Sequence, residues 1–395
     1  MYKNILVLAI CNALIMSSTS LTMTSSALVG YALASESIYS TLPLGITYVS
    51  VMASLIPISL LMQKYGRKPG FYIGAASGLL GGVLAAIGIY AGSFFLFALA
   101  GIFQGFSMAS AQFLRFAAAE VVDQEYRSRA ISWVLAGGLV AAFLGPSIAR
   151  FTNQASSLPP FTVAFASIIV MSVLVFAMLP FASLPAPAKS TETEGKRPLT
   201  HIIVLPGFIV AALCAMIAYG TMNLLMVSTP LAMQASELTF DQIAVVIQWH
   251  IIGMFAPSFF TGHLIHRFGV LKIMLLGILA LFISIGAGVS GDTYWYYLAG
   301  LVALGIGWNF LFVGGTTLLT EVHRPSEKGM VQGLNDFLVF SVVATTAAIS
   351  GYLHFHIGWI VLNLVTVPTL IVAALAVFVL WFMRDRASKA AAYPD

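Results

Sequence analysis

Arg115 stands inside the apolar stretch QFLRFAAAE, residues 112–120, where a guanidinium needs a reason to be. Its planar fork of N–H donors suits a carboxylate or phosphate held through two parallel hydrogen bonds, so an anionic or zwitterionic small molecule is the ligand class it predicts. A fixed salt bridge, or a side chain snorkelling to nearby water, would satisfy the same charge without a ligand. At 1.5 Å per residue Arg115 lies about 10 Å from the end of its stretch near Val122. At such depth an arginine costs at least about 2.5 kcal/mol on insertion scales, so it should face a cavity, a partner or water rather than lipid. On one continuous helix Gln104 and Arg115 fall within about 20° of each other, with Gln112 about 60° away. That face is polar and cationic, while Glu120 points elsewhere.

Other polar side chains interrupt apolar stretches. Ser17, Ser18, Thr19, Ser20, Thr22, Thr24, Ser25 and Ser26 form a hydroxyl-rich run that reads equally as close helix packing and as cavity lining. Asn12 carries an amide whose partners lipid cannot supply. Tyr219 and Asn223 sit one turn apart, and Trp308 adjoins Asn309, with Thr316 and Thr317 beyond. His250, next to Gln248 and Trp249, is the candidate for carrying a coupling proton, since a neutral imidazole titrates near physiological pH. A histidine held in an interhelical hydrogen bond is the other reading. His354 and His356 lack a third ligand, and Cys11 and Cys214 have no companions at metal-ligand spacing and read as packing residues, so neither metal nor cofactor is expected. Gly74, Gly78, Gly82 and Ala86 recur every four residues and predict a close helix contact.

The elements that must position these groups follow from composition. Of 395 residues, 59% are hydrophobic and 8% charged, against about 25% charged in ordinary soluble domains. The chain therefore belongs in a bilayer, whose apolar core takes roughly 20 residues per helix. Twelve transmembrane segments are predicted: 5–33, 42–62, 70–91, 94–121, 131–151, 161–183, 201–229, 241–264, 271–290, 294–320, 330–352 and 357–383. Lysine and arginine gather in alternate connections, at Lys64, Arg67 and Lys68, at Arg127 and Arg129, at Lys189, Lys196 and Arg197, at Arg267, at Arg324 and Lys328, and at Arg384, Arg386 and Lys389. The positive-inside rule makes that side, and both termini, cytoplasmic. The Pro-, Ser- and Glu-bearing residues 184–199 read as a flexible cytoplasmic linker. They separate an N-terminal six-helix bundle, 1–183, from a C-terminal one, 200–383, with a cytoplasmic tail at 384–395. The basic residues are too dispersed for a nucleic-acid face. No catalytic or phosphate-loop motif is present, so no enzyme is expected.

The halves resemble each other weakly, with chance similarity between two loops as the alternative. SLLMQKYGRK at 59–68 and GHLIHRFGVL at 262–271 each close the second span of a half, and Glu120-Val121 and Glu321-Val322 each end the fourth. With the six-plus-six layout these fragments resemble the major facilitator superfamily over essentially the whole chain. Leu61, Lys64, Gly66, Arg67 and Lys68 match its loop motif, with Ser59 and Gln63 departing. Gly262, Leu264, Arg267 and Gly269 match the second copy, with His266 at the acidic position. Gly101, Gln104 and Gly105 fit its fourth-span pattern without the arginine, and Gly145-Pro146 its fifth. The resemblance implies an all-α fold of two pseudo-symmetric six-helix bundles whose spans one, four, seven and ten line a central cavity. Arg115, Gln104, Gln112, Asn12, Tyr219, Asn223, Trp308 and Asn309 would then be the substrate-binding wall. It also implies cytoplasmic gate pairs, Arg67 with Glu120 and Arg267 with Glu321, for which solvated loop charges are the alternative. The function implied is secondary transport of a small organic solute by alternating access, with a proton or another ion as the candidate coupling partner. The setting is the bacterial inner membrane and the state a monomer. A drug or metabolite efflux antiporter, and a non-transporting receptor or scaffold, are the competing readings.

Overall fold

The computed structural model describes residues 2–123, 130, 133–134, 137–153, 157–184, 197–324 and 327–392. Within lipid each backbone N–H and C=O needs an internal partner, which a helix supplies from its own chain. The described residues accordingly form helices and no strands. The spans are α1 (Tyr2–Leu33), α2 (Leu42–Tyr65), α3 (Arg67–Tyr90), α4 (Phe94–Ala111, resuming as Leu114–Glu120), α5 (Gly137–Asn153) and α6 (Thr162–Met178). After the linker come α7 (Pro206–Ala235), α8 (Phe240–Phe255, then Ser258–Phe268 across a 40° bend), α9 (Val270–Ser290), α10 (Tyr294–Thr320), α11 (Lys328–Leu364) and α12 (Val367–Ala392).

Local sequence sets these boundaries. Pro206 opens α7, where its missing N–H is no loss, and Thr239 with Gln242 forms a capping box at the start of α8. Gly66 (φ 93°) and Gly269 (φ 88°) make the sharp turns from α2 to α3 and from α8 to α9. They occupy the same place in the two copies of the loop motif, and a positive φ there favours glycine. The internal repeat is thus a repeat of backbone geometry.

Each half packs chiefly within itself, α3 on α4 and α6 and α1 on α5 in the first, α10 on α7, α8 and α9 in the second. The glycine stripe of α3 works as expected: a methyl at Gly74 would run into Ser110 of α4, and one at Gly82 into Ile168 and Ile169 of α6. The halves meet along α2 with α11, α5 with α8, and α1 with α7.

The fourth span runs from Phe94 to Glu120 with one turn at Gln112 and Phe113, whose backbone stays in the right-handed helical region. Three expectations need correction. The eighth breaks at Pro257, whose ring lacks the N–H that continues the ladder. The eleventh runs past 352 to a kink at Gly358 (φ 73°). Finally, α12 continues to Ala392, making most of the expected tail helical. Residues 185–196, most of the expected linker, and Arg127 and Arg129 lie outside the described residues.

Candidate functional site

Where the halves meet, aromatic rings gather. Tyr219 of α7 meets Trp308 and Phe312 of α10 edge-on, at centroid distances of 5.2 and 5.3 Å, and Phe340 of α11 at 5.8 Å. Trp308 and Phe312 stack at 5.0 Å with 12° between planes, one turn apart on the same helix face. Phe255 of α8 closes on Trp308 from behind, at 6.4 Å. From the first half, Tyr48 of α2 joins the same apolar cluster, fully buried, with Met52 and Met108 beside it.

Polar atoms within this cluster lack partners. The Tyr48 hydroxyl, Trp308 Nε1 and Arg115 Nε are buried and have no hydrogen-bond partner among the described residues. A buried, unsatisfied donor costs about 1–3 kcal/mol, so three around one set of rings mark a place built to be completed by an acceptor. The Arg115 guanidinium lies over the ring of Phe116, 4.9 Å from its centroid, and its charge acts on Tyr219 and on Asp336 of the other half. Arg115 therefore faces the junction of the halves. Tyr219, Trp308 and Arg115 belong together there, and Tyr48, Phe312, Phe340 and Asp336 are additions to the sequence reading. Phe312 was legible four residues after Trp308; Tyr48 and Phe340 come from spans that only the fold brings in.

The three asparagines do something else. Asn12 donates to the Val134 carbonyl at 2.8 Å, tying α1 to the fifth segment. Asn223 donates to the Val343 carbonyl and the Thr346 hydroxyl, both at 3.1 Å, tying α7 to α11. Asn309 donates to the Met254 carbonyl and to Ser258 Oγ, both at 2.7 Å, and accepts from the Thr261 hydroxyl at 2.6 Å. It thereby satisfies the groups that the break in α8 leaves open. All three are buried and tie helices within one half, and Asn223 Oδ1 has no hydrogen-bond partner among the described residues. His250 is likewise enclosed, with one ring nitrogen 2.8 Å from the Leu301 carbonyl.

Gln104 sits elsewhere in the first half, accepting from Thr22 at 3.1 Å beside a narrow crevice between α1, α3, α4 and α6. Gln112 lies at the turn within α4.

At the end carrying the termini, Arg67 grips Glu120 with two hydrogen bonds, of 2.6 and 3.2 Å. Both residues belong to the first half, so the pair braces α3 against α4 and does not bolt the halves together. The second expected pair is wrong. Glu321 accepts from Arg384 at 2.8 Å because α12 extends far enough to deliver it, while Arg267 lies over the ring of Phe268. A stronger pair went unnoticed: Glu327, its side chain fully shielded, accepts from Arg197 Nε and Nη2 at 2.9 and 2.7 Å and from the backbone N–H groups of Arg197 and Arg324. The Arg197 guanidinium and these N–H groups hold its carboxyl well below the usual carboxylate range.

At the opposite end the halves are joined. Arg150 pairs with Asp241 at 3.1 Å, the Gly351 N–H donates to the Thr41 hydroxyl at 2.9 Å, and Phe161 meets Phe240 edge-on at 4.9 Å. At the end carrying the termini, the ion pairs Arg67–Glu120, Arg197–Glu327 and Arg384–Glu321 do not join the two halves.

Comparison with known proteins agrees with this architecture. The sequence profile of the Major Facilitator Superfamily matches residues 6–232 and 211–394. The riboflavin transporter RfnT of Brucella anthropi is 36% identical over 392 residues, covering 99% of this chain and 98% of that one. The uncharacterized MFS-type transporter YddS of Bacillus subtilis is 26% identical over 361 residues, 87% of this chain and 82% of its own. Among solved structures, the nucleoside transporter NupG superposes with a TM-score of 0.72 at 13% identity, covering 95% of this chain and 99% of the other. A bacterial homolog of the human lysosomal transporter Spinster, inward-facing and occupied, gives 0.71 at 14% identity over 95% of each. Those two likenesses concern the fold alone.

Proposed function

The chain belongs to the Major Facilitator Superfamily, and from that premise we propose that it carries riboflavin, or a near analogue with the same flat ring system, across the cytoplasmic membrane. That it is a membrane transporter of a small organic solute, and not an enzyme, follows from the family and its relatives. The choice of solute rests on one observation: buried donors without partners surround a cluster of aromatic faces at the junction of the halves. A flavin is a three-ring heterocycle with a carbonyl-bearing edge, so faces stack on its plane and donors meet its edge. The whole-length likeness to a riboflavin transporter points the same way. Riboflavin has no formal charge at neutral pH. Arg115 then acts as a hydrogen-bond donor to the ring's carbonyl edge rather than as a counter-ion, which moves the ligand class away from the anion that the sequence favoured.

The basic connections make the end bearing the termini cytoplasmic. With its joined end outward, the structure corresponds to an inward-facing state. For a coupling proton Asp336 is better placed than His250, since it shares the junction with Arg115 while His250 is walled in between α8 and α10. Purified protein in liposomes should take up labelled riboflavin saturably, and excess unlabelled riboflavin should compete. Absence of riboflavin uptake by a preparation that moves another solute overturns the assignment.

A further inference from the structure

The crevice in the first half is chemically unlike the aromatic cluster. Ser18, Thr19, Thr22, Gln104, Ser107 and Ser172 supply its polar wall, with Gly78 beside them. Three of these hydroxyls are already engaged: Thr22 donates to the Ser18 carbonyl and lies 3.1 Å from Gln104 Oε1, Thr19 donates to the Ile15 carbonyl, and Ser18 donates to the Leu14 carbonyl. Among the described residues, the hydroxyls of Ser107 and Ser172 and the Gln104 amide nitrogen make no hydrogen bond. The two serine hydroxyls converge on Gly78, where an added methyl would lie 2.8 Å from Ser107 Oγ and 2.9 Å from Ser172 Oγ. A glycine there leaves room between two idle hydroxyls. The free space is on the scale of about one or two waters, which excludes a ring and admits a hydroxyl group.

The crevice adjoins the ring site. Met108 lines it and also packs against the cluster that holds Tyr48, Tyr219, Phe312 and Phe340. A ligand lying on those rings therefore has a polar recess one side chain away, in the other half of the molecule.

Resting on the riboflavin reading above, we propose that this recess between α1, α3, α4 and α6 is the subsite for the terminal hydroxyls of the substrate's polyol chain. Each sugar-alcohol hydroxyl both donates and accepts, as do serine hydroxyls, while the Gln104 amide nitrogen donates only. The ring is then held mainly by the second half and the chain by the first, so one substrate contacts both moving bodies. Specificity between flavins differing only in their chain resides in the first half.

The test is titration of the purified full-length protein with riboflavin and with lumiflavin, which has the same ring and a methyl group in place of the chain. Wild type should bind riboflavin at least about fivefold more tightly, the scale of one net hydrogen bond. Ser107→Ala and Ser172→Ala remove hydroxyls with no described protein partner, so both variants should keep the wild-type melting temperature. Each should weaken riboflavin toward the lumiflavin value and leave lumiflavin unchanged, lumiflavin serving as the control for an intact ring site. Equal binding of the two flavins by wild type overturns the subsite while the riboflavin assignment stands. So do variants that weaken both flavins alike, or neither. Failure of folded wild type to bind either flavin overturns both readings.

Discussion

Arg115 is the residue on which the binding hypothesis turns. Its Nε has no partner among the described residues, and its charge reaches Tyr219 and Asp336 across the junction. Hydrogen bonds from charged groups contribute about 1.5–3 kcal/mol, so Arg115→Ala should raise the riboflavin Kd by at least about tenfold. Arg115→Lys keeps the charge but loses the fork and should fall between. Unaltered affinity in a stable Arg115→Ala protein sinks the role. Glu327 allows a pH prediction. Its carboxyl is held below its unfolded pKa, so its stabilisation is complete at neutral pH and fades only as pH falls through the depressed folded value. The melting-temperature gap between wild type and Glu327→Gln should therefore stay constant from pH 8 to about pH 5. A gap that closes by pH 6 would show that Arg197 does not hold the carboxylate as described.

Among the elements, the broken α8 is the informative one. Pro257 interrupts the hydrogen-bond ladder, and Asn309 on the neighbouring α10 takes up the Met254 carbonyl together with the Ser258 and Thr261 hydroxyls. Asn309→Leu would leave several buried polar groups unpaired at about 1–3 kcal/mol each. It should lower the melting temperature by several degrees while the surviving folded protein binds riboflavin with wild-type Kd. Loss of affinity without loss of stability would return Asn309 to the cavity wall. The same logic separates Asn12 from the binding residues, whereas Asn223 keeps a buried Oδ1 without a partner among the described residues. From sequence all three were buried amides in want of partners, and nothing along the chain says whether the partner is a ligand or the carbonyl of another helix.

For the whole molecule, the joined end sets the state. Arg150 and Asp241 come from α5 and α8, half exposed, with Thr41 and Gly351 closing α2 on α11. An exposed pair contributes little to stability, yet a small bias suffices to shift two states of similar free energy. Asp241→Arg places like charges together and should shift the population toward outward-open. A cysteine at the buried position Ala347, in protein lacking Cys11 and Cys214, reports this. Its labelling from outside by a membrane-impermeant thiol reagent should rise in the Asp241→Arg background. Labelling that does not change would mean the pair plays no part in closure.

Composition and hydropathy alone determined a helical bundle in lipid, because repeated apolar stretches of about 20 residues are the length of a spanning helix, which satisfies its backbone from its own chain. The repeated loop, with glycine at 66 and 269, also determined the two-fold plan, since each glycine marks the same backbone turn. Arg115 stood out in the sequence as well, as burying a guanidinium is costly wherever it occurs. Tertiary structure alone decided which polar residues are joints and which face the junction. Hydrogen bonds such as Asn223 to Val343 link residues far apart in the chain, and their formation depends on how two helices are set against each other. The same holds for Glu321, whose partner is the arginine that α12 happens to deliver, and for the ring cluster, assembled from α2, α7, α10 and α11, where no local pattern foretells the meeting.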